Sequence, residues 1–176
     1  AGTSVQYWAD EEDVIWRLDA WALQLGYEIV YRPHPRRPAV DLTGLVHVAL
    51  DADWQPGGWR WDRSGIAETL GRSVCLVTAW STMVVEAALL GRPTLLVAFG
   101  RGVPRFGEWP HMRTILRWSG VRVCRSPEEL IANLRALLVG AWSPDPVVLR
   151  NEAMMAARSD GKAKWRLIDA IEEGAR

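Results

Sequence analysis

The stretch from Val74 to Gly100 constrains the fold of this chain more than any other, because it has the pattern of a complete strand–helix–strand unit. Residues 74–77 form a short apolar run, typical of a strand that is buried on both faces of a parallel sheet. An apolar helix is predicted over Met83–Leu90, and a second buried strand over Thr94–Phe99. In such a unit the helix begins at the carboxyl edge of the sheet, where open α/β folds bind their ligands.

The rest of the chain continues this alternation of strands and helices. The other predicted strands cover residues 2–7, 27–32, 45–50 and 121–124, and the other predicted helices cover residues 10–25, 65–70, 110–118, 127–139, 147–158 and 161–173. The alternation predicts an α/β, Rossmann-like layered domain with a mostly parallel sheet and helices on both faces. We expect residues 1–146 to form this domain and the helices within 147–176 to pack on it.

Length and charge limit the kinds of protein that this chain can be. Its 176 residues suffice for one domain with a core, and the opening strand begins so abruptly that we expect a piece of a longer protein. Lys+Arg and Asp+Glu both number 21, so bulk charge does not favour nucleic-acid binding. No apolar run approaches the ~20 residues that span a bilayer, and no signal-peptide pattern is present. We therefore expect a cytoplasmic domain, with a peripheral position at the membrane left open. Cys75 and Cys124 are expected to be buried free thiols.

A stiff basic loop follows the strand predicted over residues 27–32. The prolines of Pro33-His34-Pro35-Arg36-Arg37-Pro38 exclude a helix and a central strand. Arg32, His34 and Arg36 crowd this turn, and guanidinium groups beside an imidazole suit a phosphate or a diphosphate. A solvated basic turn is the alternative that composition alone allows.

Ser81 and Thr82 place hydroxyls and backbone amides at the start of the helix, where a phosphate can bind or where a hydroxyl serves as an ordinary N-cap. Glu86 lies four residues after Thr82, on the same face and one turn deeper in an otherwise apolar helix. Because burying an unpaired carboxylate is expensive, we expect it to have partners, either a neighbouring arginine or the vicinal hydroxyls of a ribose. Together with the His-Pro loop, these residues predict half of a nucleotide-diphosphate pocket.

The segments YRPHPR and WSTMVVEAALLGRPTLLV resemble the C-terminal nucleotide-binding half of GT-B-type glycosyltransferases. They are most similar to capsule-polysaccharide and CDP-glycerol glycerophosphotransferase-like enzymes and to bacterial sialyltransferases with HP and S motifs. The related UDP-N-acetylglucosamine 2-epimerases share this half-fold. The resemblance covers residues 27–139. It implies that His34 approaches the donor phosphates as a catalytic group, that Ser81 and Thr82 bind phosphate, and that Glu86 binds the ribose.

The resulting hypothesis is the donor-binding domain, for a nucleotide sugar or a CDP-alcohol, of a glycosyltransferase or glycerophosphate-type transferase in polysaccharide biosynthesis. Arg32, Arg36 and Arg101 are expected to help to hold the donor, and no cofactor or metal is predicted. The resemblance implies an N-terminal acceptor domain, missing here or supplied by a partner chain, without which this domain is expected to be inactive. A sugar-nucleotide 2-epimerase half-domain is the alternative, although Thr82-Met83 stands where the epimerases have Gly-Gly.

Tryptophan is unusually frequent, with 11 residues. Trp54, Trp59 and Trp61 lie in a glycine- and proline-containing loop where no core requires them. They suit stacking on a base or sugar, contact with the missing acceptor domain or a partner chain, or contact with a membrane surface. They also support a third hypothesis, a non-catalytic interaction domain that retains the fold. Trp16 and Trp21 are expected to pack in the core or against another domain.

Overall fold

A computed structural model of the chain describes residues 11–33, 41–50, 64–79, 81, 83–100 and 110–157. Helices and strands alternate along these residues. In chain order they are α1 (Glu11–Leu25), β1 (Ile29–Tyr31), β2 (Val48–Leu50), α2 (Ser64–Arg72), β3 (Leu76–Thr78), α3 (Met83–Leu89), β4 (Thr94–Val97), α4 (Pro110–Ile115), β5 (Val121–Cys124), α5 (Pro127–Leu138) and α6 (Pro146–Ala157). The strand predicted at residues 2–7 and the helix predicted at residues 161–173 lie outside the described residues.

The strands form two parallel sheets. One is two-stranded and pairs β1 with β2, with Ile29 opposite Val48. The other is three-stranded in the order β3-β4-β5, with Leu76 opposite Thr94 and Thr94 opposite Val121. Parallel pairing, with α2, α3 and α4 preceding β3, β4 and β5, confirms the prediction of an α/β, Rossmann-like layered domain.

β3 begins later than the sequence predicts. The apolar run starts at Val74, but Val74 is 43% exposed and β3 begins at Leu76. Pairing with the neighbouring strand decides this boundary, because the N–H of Leu76 donates to the carbonyl of Pro93 as the ladder begins. Cys75, predicted within the strand, therefore lies one residue before it.

Both faces of the three-stranded sheet are covered. Leu95 and Leu96 of β4 are both fully buried, and successive strand residues point to opposite faces. Leu95 packs with α1 and α5, whereas Leu96 packs with helices α2, α3, α4 and α6. The continuous apolar sequence of β4 is therefore the consequence of burial on both sides, as predicted.

α1 connects the two sheets. Ile15 packs in a cluster with β1 and β2, whereas Leu18 and Trp21 pack in the cluster with β4, β5 and α5. Ile29 of β1 packs against both clusters, but Val48 of β2 belongs to the smaller one alone. β1 is therefore the strand of the two-stranded sheet that lies nearer to the three-stranded sheet.

The two tryptophans of α1 have different surroundings. Trp21 is buried, and Ile15 and Leu18 share its side of the helix. Trp16 is 43% exposed, because it is turned by ~100° from Ile15 around the helix axis. The core alternative is therefore confirmed for Trp21, whereas for Trp16 the alternative of packing against another domain stays a prediction.

α6 packs on the side of the sheet that α3 covers. Leu149 and Ala153 of α6 are buried in the same cluster as Val84 and Ala87 of α3. α6 corresponds to the first of the two helices predicted within residues 147–176.

Candidate functional site

The first turn of α1 lies at the carboxyl end of β1. The hydroxyl of Tyr31 donates to Oε1 of Glu11 at 3.1 Å. At the opposite edge of the same sheet, just before β2, Oδ1 of Asp19 accepts the N–H groups of Val46 at 3.1 Å and of His47 at 2.6 Å. α1 therefore runs antiparallel to β1 and β2 and begins at their carboxyl edge.

The start of α5 lies beside α1. α5 begins directly after β5, and Glu128 is in its first turn. The pKa of Glu128 is lowered by a hydrogen bond with the Ser126 side chain, by a backbone hydrogen bond and by the charge of Arg17 on α1. Leu18 of α1 and Leu130 of α5 pack in the same apolar cluster. α1 and α5 therefore cover the same side of the three-stranded sheet.

β1 and β3 are edge strands of their two sheets: β1 pairs with β2, and β3 pairs with β4, which also pairs with β5. Ile29 of β1 packs against the same apolar cluster as Val77 of β3. Ligands of open α/β sheets bind in crevices outside the carboxyl ends of the strands. Arg32 directly follows β1, and Ser81 precedes α3 after β3.

Ser81 is half-buried and begins α3. Its hydroxyl accepts the N–H of Met83 at 3.1 Å, and its carbonyl accepts the N–H of Val84 at 3.3 Å. The predicted N-cap role is therefore confirmed. These two amides already have partners, and the hydroxyl of Ser81 can still donate its proton to a ligand.

Glu86 lies among buried residues of α3 and is itself half-buried. Its Oε2 atom is buried. Glu86 has a polar interaction within the chain, so its position does not by itself require a ligand. Helical side chains lean toward the N-terminus of their helix, which directs this carboxylate toward the end of α3 that Ser81 begins.

Arg32 is half-buried and Pro33, the next residue, is buried. Arg32 also has an interaction within the chain. The structure thus places Arg32, Ser81 and Glu86, all at the carboxyl edge, with Arg32 on one sheet and the other two beside the second. The remaining predicted site residues lie outside the described residues: His34, Arg36, Thr82 and Arg101, and also Trp54, Trp59 and Trp61.

Glu11 and Tyr31 belong to this edge although sequence reasoning did not select them. In the sequence Glu11 is one of several acids in the first turn of α1, where a helix favours negative charge. The structure brings it to the last residue of β1, next to Arg32. The two residues are 20 positions apart, so no local spacing rule could have paired them.

The two cysteines are free thiols within one apolar cluster, on the α1 and α5 side of the sheet. Burial raises the pKa of the Cys75 thiol to about 12, and the neighbouring Cys124 adds to the rise. Burial also raises the pKa of Cys124. Thiols that ionise so poorly are unreactive, because the thiolate is both the nucleophile and the metal ligand. Within the part of the chain that the structure describes, no group of three or more His, Cys, Asp or Glu side chains could hold a metal ion.

Comparison of the chain with protein-family models, with curated proteins and with solved structures finds no match. Among the helices within the described ranges, none is both long and apolar enough to cross a membrane. The argument for a function therefore depends on the geometry of the carboxyl edge and on the chemistry of its residues.

Proposed function

We propose that this chain is the donor-binding domain of a glycosyltransferase or glycerophosphate-type transferase that acts in polysaccharide biosynthesis. Its ligand is a nucleotide sugar or a CDP-alcohol, bound at the carboxyl ends of β1 and β3. The observation that carries the proposal is that Arg32 directly follows β1 and Ser81 follows β3, two parallel strands that pack against one apolar cluster. An open α/β sheet offers a ligand crevice at such a position.

Each described residue at the crevice suits one part of such a donor. The guanidinium of Arg32 can pair with two phosphate oxygens at once, and the hydroxyl of Ser81 can donate to a third. The carboxylate of Glu86 can accept hydrogen bonds from ribose hydroxyls. These three side chains together suit a ligand that has both phosphate groups and a vicinal diol.

In the transfer reaction the bond between the transferred group and the nucleotide phosphate breaks, and negative charge grows on the departing nucleotide. Positioned cations and hydroxyls lower the barrier by stabilising this charge. His34, Arg36, Thr82 and Arg101 complete the site in this proposal. The base that activates the acceptor belongs to an acceptor domain or to a partner chain. We also propose a cytoplasmic location at the periphery of a membrane, where polysaccharide acceptors are elongated.

Titration calorimetry with UDP, CDP, CMP and GDP tests the proposal. We expect one of these nucleotides to bind, and Arg32→Ala to weaken its binding roughly ten- to a hundredfold, since a hydrogen-bonded charge pair contributes that much. Arg125→Ala is the matched control, because Arg125 is an exposed arginine at the end of β5, away from the crevice. A folded wild-type chain that binds none of the four nucleotides at millimolar concentration would contradict the proposal.

A second matched pair tests the hydroxyl. Ser81 and Ser126 both cap a helix through their side-chain oxygens, with Ser126 accepting the N–H of Glu129 at 3.2 Å. Ser81→Ala should weaken nucleotide binding, whereas Ser126→Ala should lower stability alone.

Glu86→Gln should weaken the binding of a ribonucleotide, which has the ribose diol, more than the binding of the matching 2′-deoxynucleotide. Turnover of UDP-N-acetylglucosamine without an acceptor would identify the epimerase alternative instead.

A non-catalytic interaction domain is the second candidate, and the outer face of α1 favours it. Trp16 is 43% exposed and Leu23 is 65% exposed, two helical turns apart on the same face. Light scattering of the wild type and of Trp16→Ser with Leu23→Ser tests this role. Association that is lost in the double variant would support it, and identical scattering would count against it.

A further inference from the structure

We infer that Glu11 is a positioning residue of the donor site, which holds the carboxyl end of β1 in place through Tyr31. This inference depends on the proposed function for its ligand. The hydroxyl of Tyr31 donates to Glu11 at 3.1 Å, and Tyr31 is buried. Tyr31 is the last residue of β1 and Arg32 is the next residue, so this bond fixes the point from which Arg32 enters the crevice.

β1 and β2 form a small sheet. Each strand is three residues long, and the buried cluster around them consists of Ile15, Tyr31 and Val48. A short strand at the edge of a small sheet opens locally more readily than a central strand, because few buried contacts hold it. A polar tie from the first turn of α1 therefore helps to order the residue before Arg32.

Asp19 provides a contrast within the same helix. It ties α1 to the same two-stranded sheet through the N–H groups of Val46 and His47, but at the amino edge. Both ties hold α1 on the sheet, and only the Glu11–Tyr31 tie lies at the crevice. Loss of the Asp19 tie therefore reports on stability alone, whereas loss of the Glu11 tie reports on stability and on the site.

The test compares five variants. Tyr31→Phe and Glu11→Ala remove the tie, and Glu11→Gln keeps an acceptor oxygen for the Tyr31 hydroxyl. Glu12→Ala removes an exposed carboxylate from the same helical turn, and Asp19→Ala removes the tie at the amino edge. Nucleotide affinity by calorimetry and amide hydrogen exchange over residues 29–33, without nucleotide, are measured for each.

We expect Tyr31→Phe and Glu11→Ala to weaken nucleotide binding roughly three- to tenfold, the range for one hydrogen bond, and to speed exchange over residues 29–33. Glu11→Gln, Glu12→Ala and Asp19→Ala should bind nucleotide like the wild type. An affinity that is unchanged in Tyr31→Phe, or lowered as much in Asp19→Ala as in Tyr31→Phe, overturns the inference.

The proposed function and the positioning role fail separately. A wild-type chain that binds no nucleotide overturns the proposed function. The exchange comparison then decides the role of Glu11 on its own. Faster exchange over residues 29–33 in Tyr31→Phe and Glu11→Ala, but not in Glu12→Ala, supports it, and exchange equal to that of the wild type overturns it.

Discussion

Gly120 lies directly against Leu149, so closely that a Cβ atom at position 120 would overlap the end of the leucine side chain. Gly120 leads into β5 and Leu149 is a buried residue of α6. The missing side chain therefore lets α6 approach the sheet. Because Leu149 is far away in the chain, no local sequence pattern pairs it with Gly120.

Gly120→Ala should lower the free energy of unfolding by about 1–3 kcal/mol, the usual cost of overpacking a core. Leu149→Ala should also lower the free energy of unfolding, because it leaves a cavity. The double variant should lose less stability than the sum of the two single losses, because the smaller residue at position 149 makes room for the added methyl group. Urea unfolding of all four proteins measures this coupling, and strictly additive losses would show that the two residues do not touch.

Gly91→Ala should destabilise the chain more than Gly26→Ala. Both glycines have a left-handed backbone, with φ of 69° and 70°, so each alanine has a strain of about 1–2 kcal/mol. A Cβ at Gly91 would also lie 2.7 Å from Cβ of Pro146, whereas a Cβ at Gly26 would meet nothing within 4 Å. The difference between the two losses measures the contact between the end of α3 and the start of α6. Equal losses by urea unfolding would rule out that contact.

Alkaline pH should destabilise the chain through Cys75. Burial raises the pKa of its thiol from 9.0 to about 12. Because the folded-state pKa is the higher one, the unfolded chain loses this proton first, and the free energy of unfolding falls as pH rises between these two values. The slope due to one thiol is at most about 1.4 kcal/mol per pH unit. Below pH 9 the contribution of the protonated thiol is fully present.

The control for this pH dependence is Cys75→Ala, measured by urea unfolding at several pH values above neutrality. The variant should lose less stability than the wild type as the pH rises. Tyrosines and lysines titrate in both proteins, so the difference between the two curves isolates the thiol. Parallel curves would mean that burial does not raise the pKa of the Cys75 thiol in the folded chain.

Local signals in the sequence predicted the elements that depend on local chemistry. β5 matches its predicted bounds, and α5 begins at the predicted residue. Ser126 accepts the N–H of Glu129, and Glu129 in turn accepts the N–H of Arg125 at 2.7 Å. Both bonds lie within the five consecutive residues 125–129, so no tertiary contact is needed to place the start of the helix.

Features that depend on distant residues were not predictable. β3 starts two residues later than its apolar run, because pairing with β4 decides where a ladder begins. In the candidate site the N-cap role of Ser81 followed from the sequence, since it is local. The tie between Glu11 and Tyr31 joins residues that only the folded α1 and β1 bring together. The division of the strands into two parallel sheets, with Arg32 after a strand of one and Ser81 after a strand of the other, also depends on distant residues.

The central claim is that a nucleotide binds between the carboxyl ends of β1 and β3. Amide chemical shifts recorded by NMR during titration with UDP and with CDP test it most directly, because they locate the ligand as well as detect it. We predict saturable shifts at Arg32, at Ser81 and at the first residues of α3, with α6 unaffected. An absence of shifts at millimolar nucleotide, or shifts that cluster away from these two strand ends, would contradict the claim.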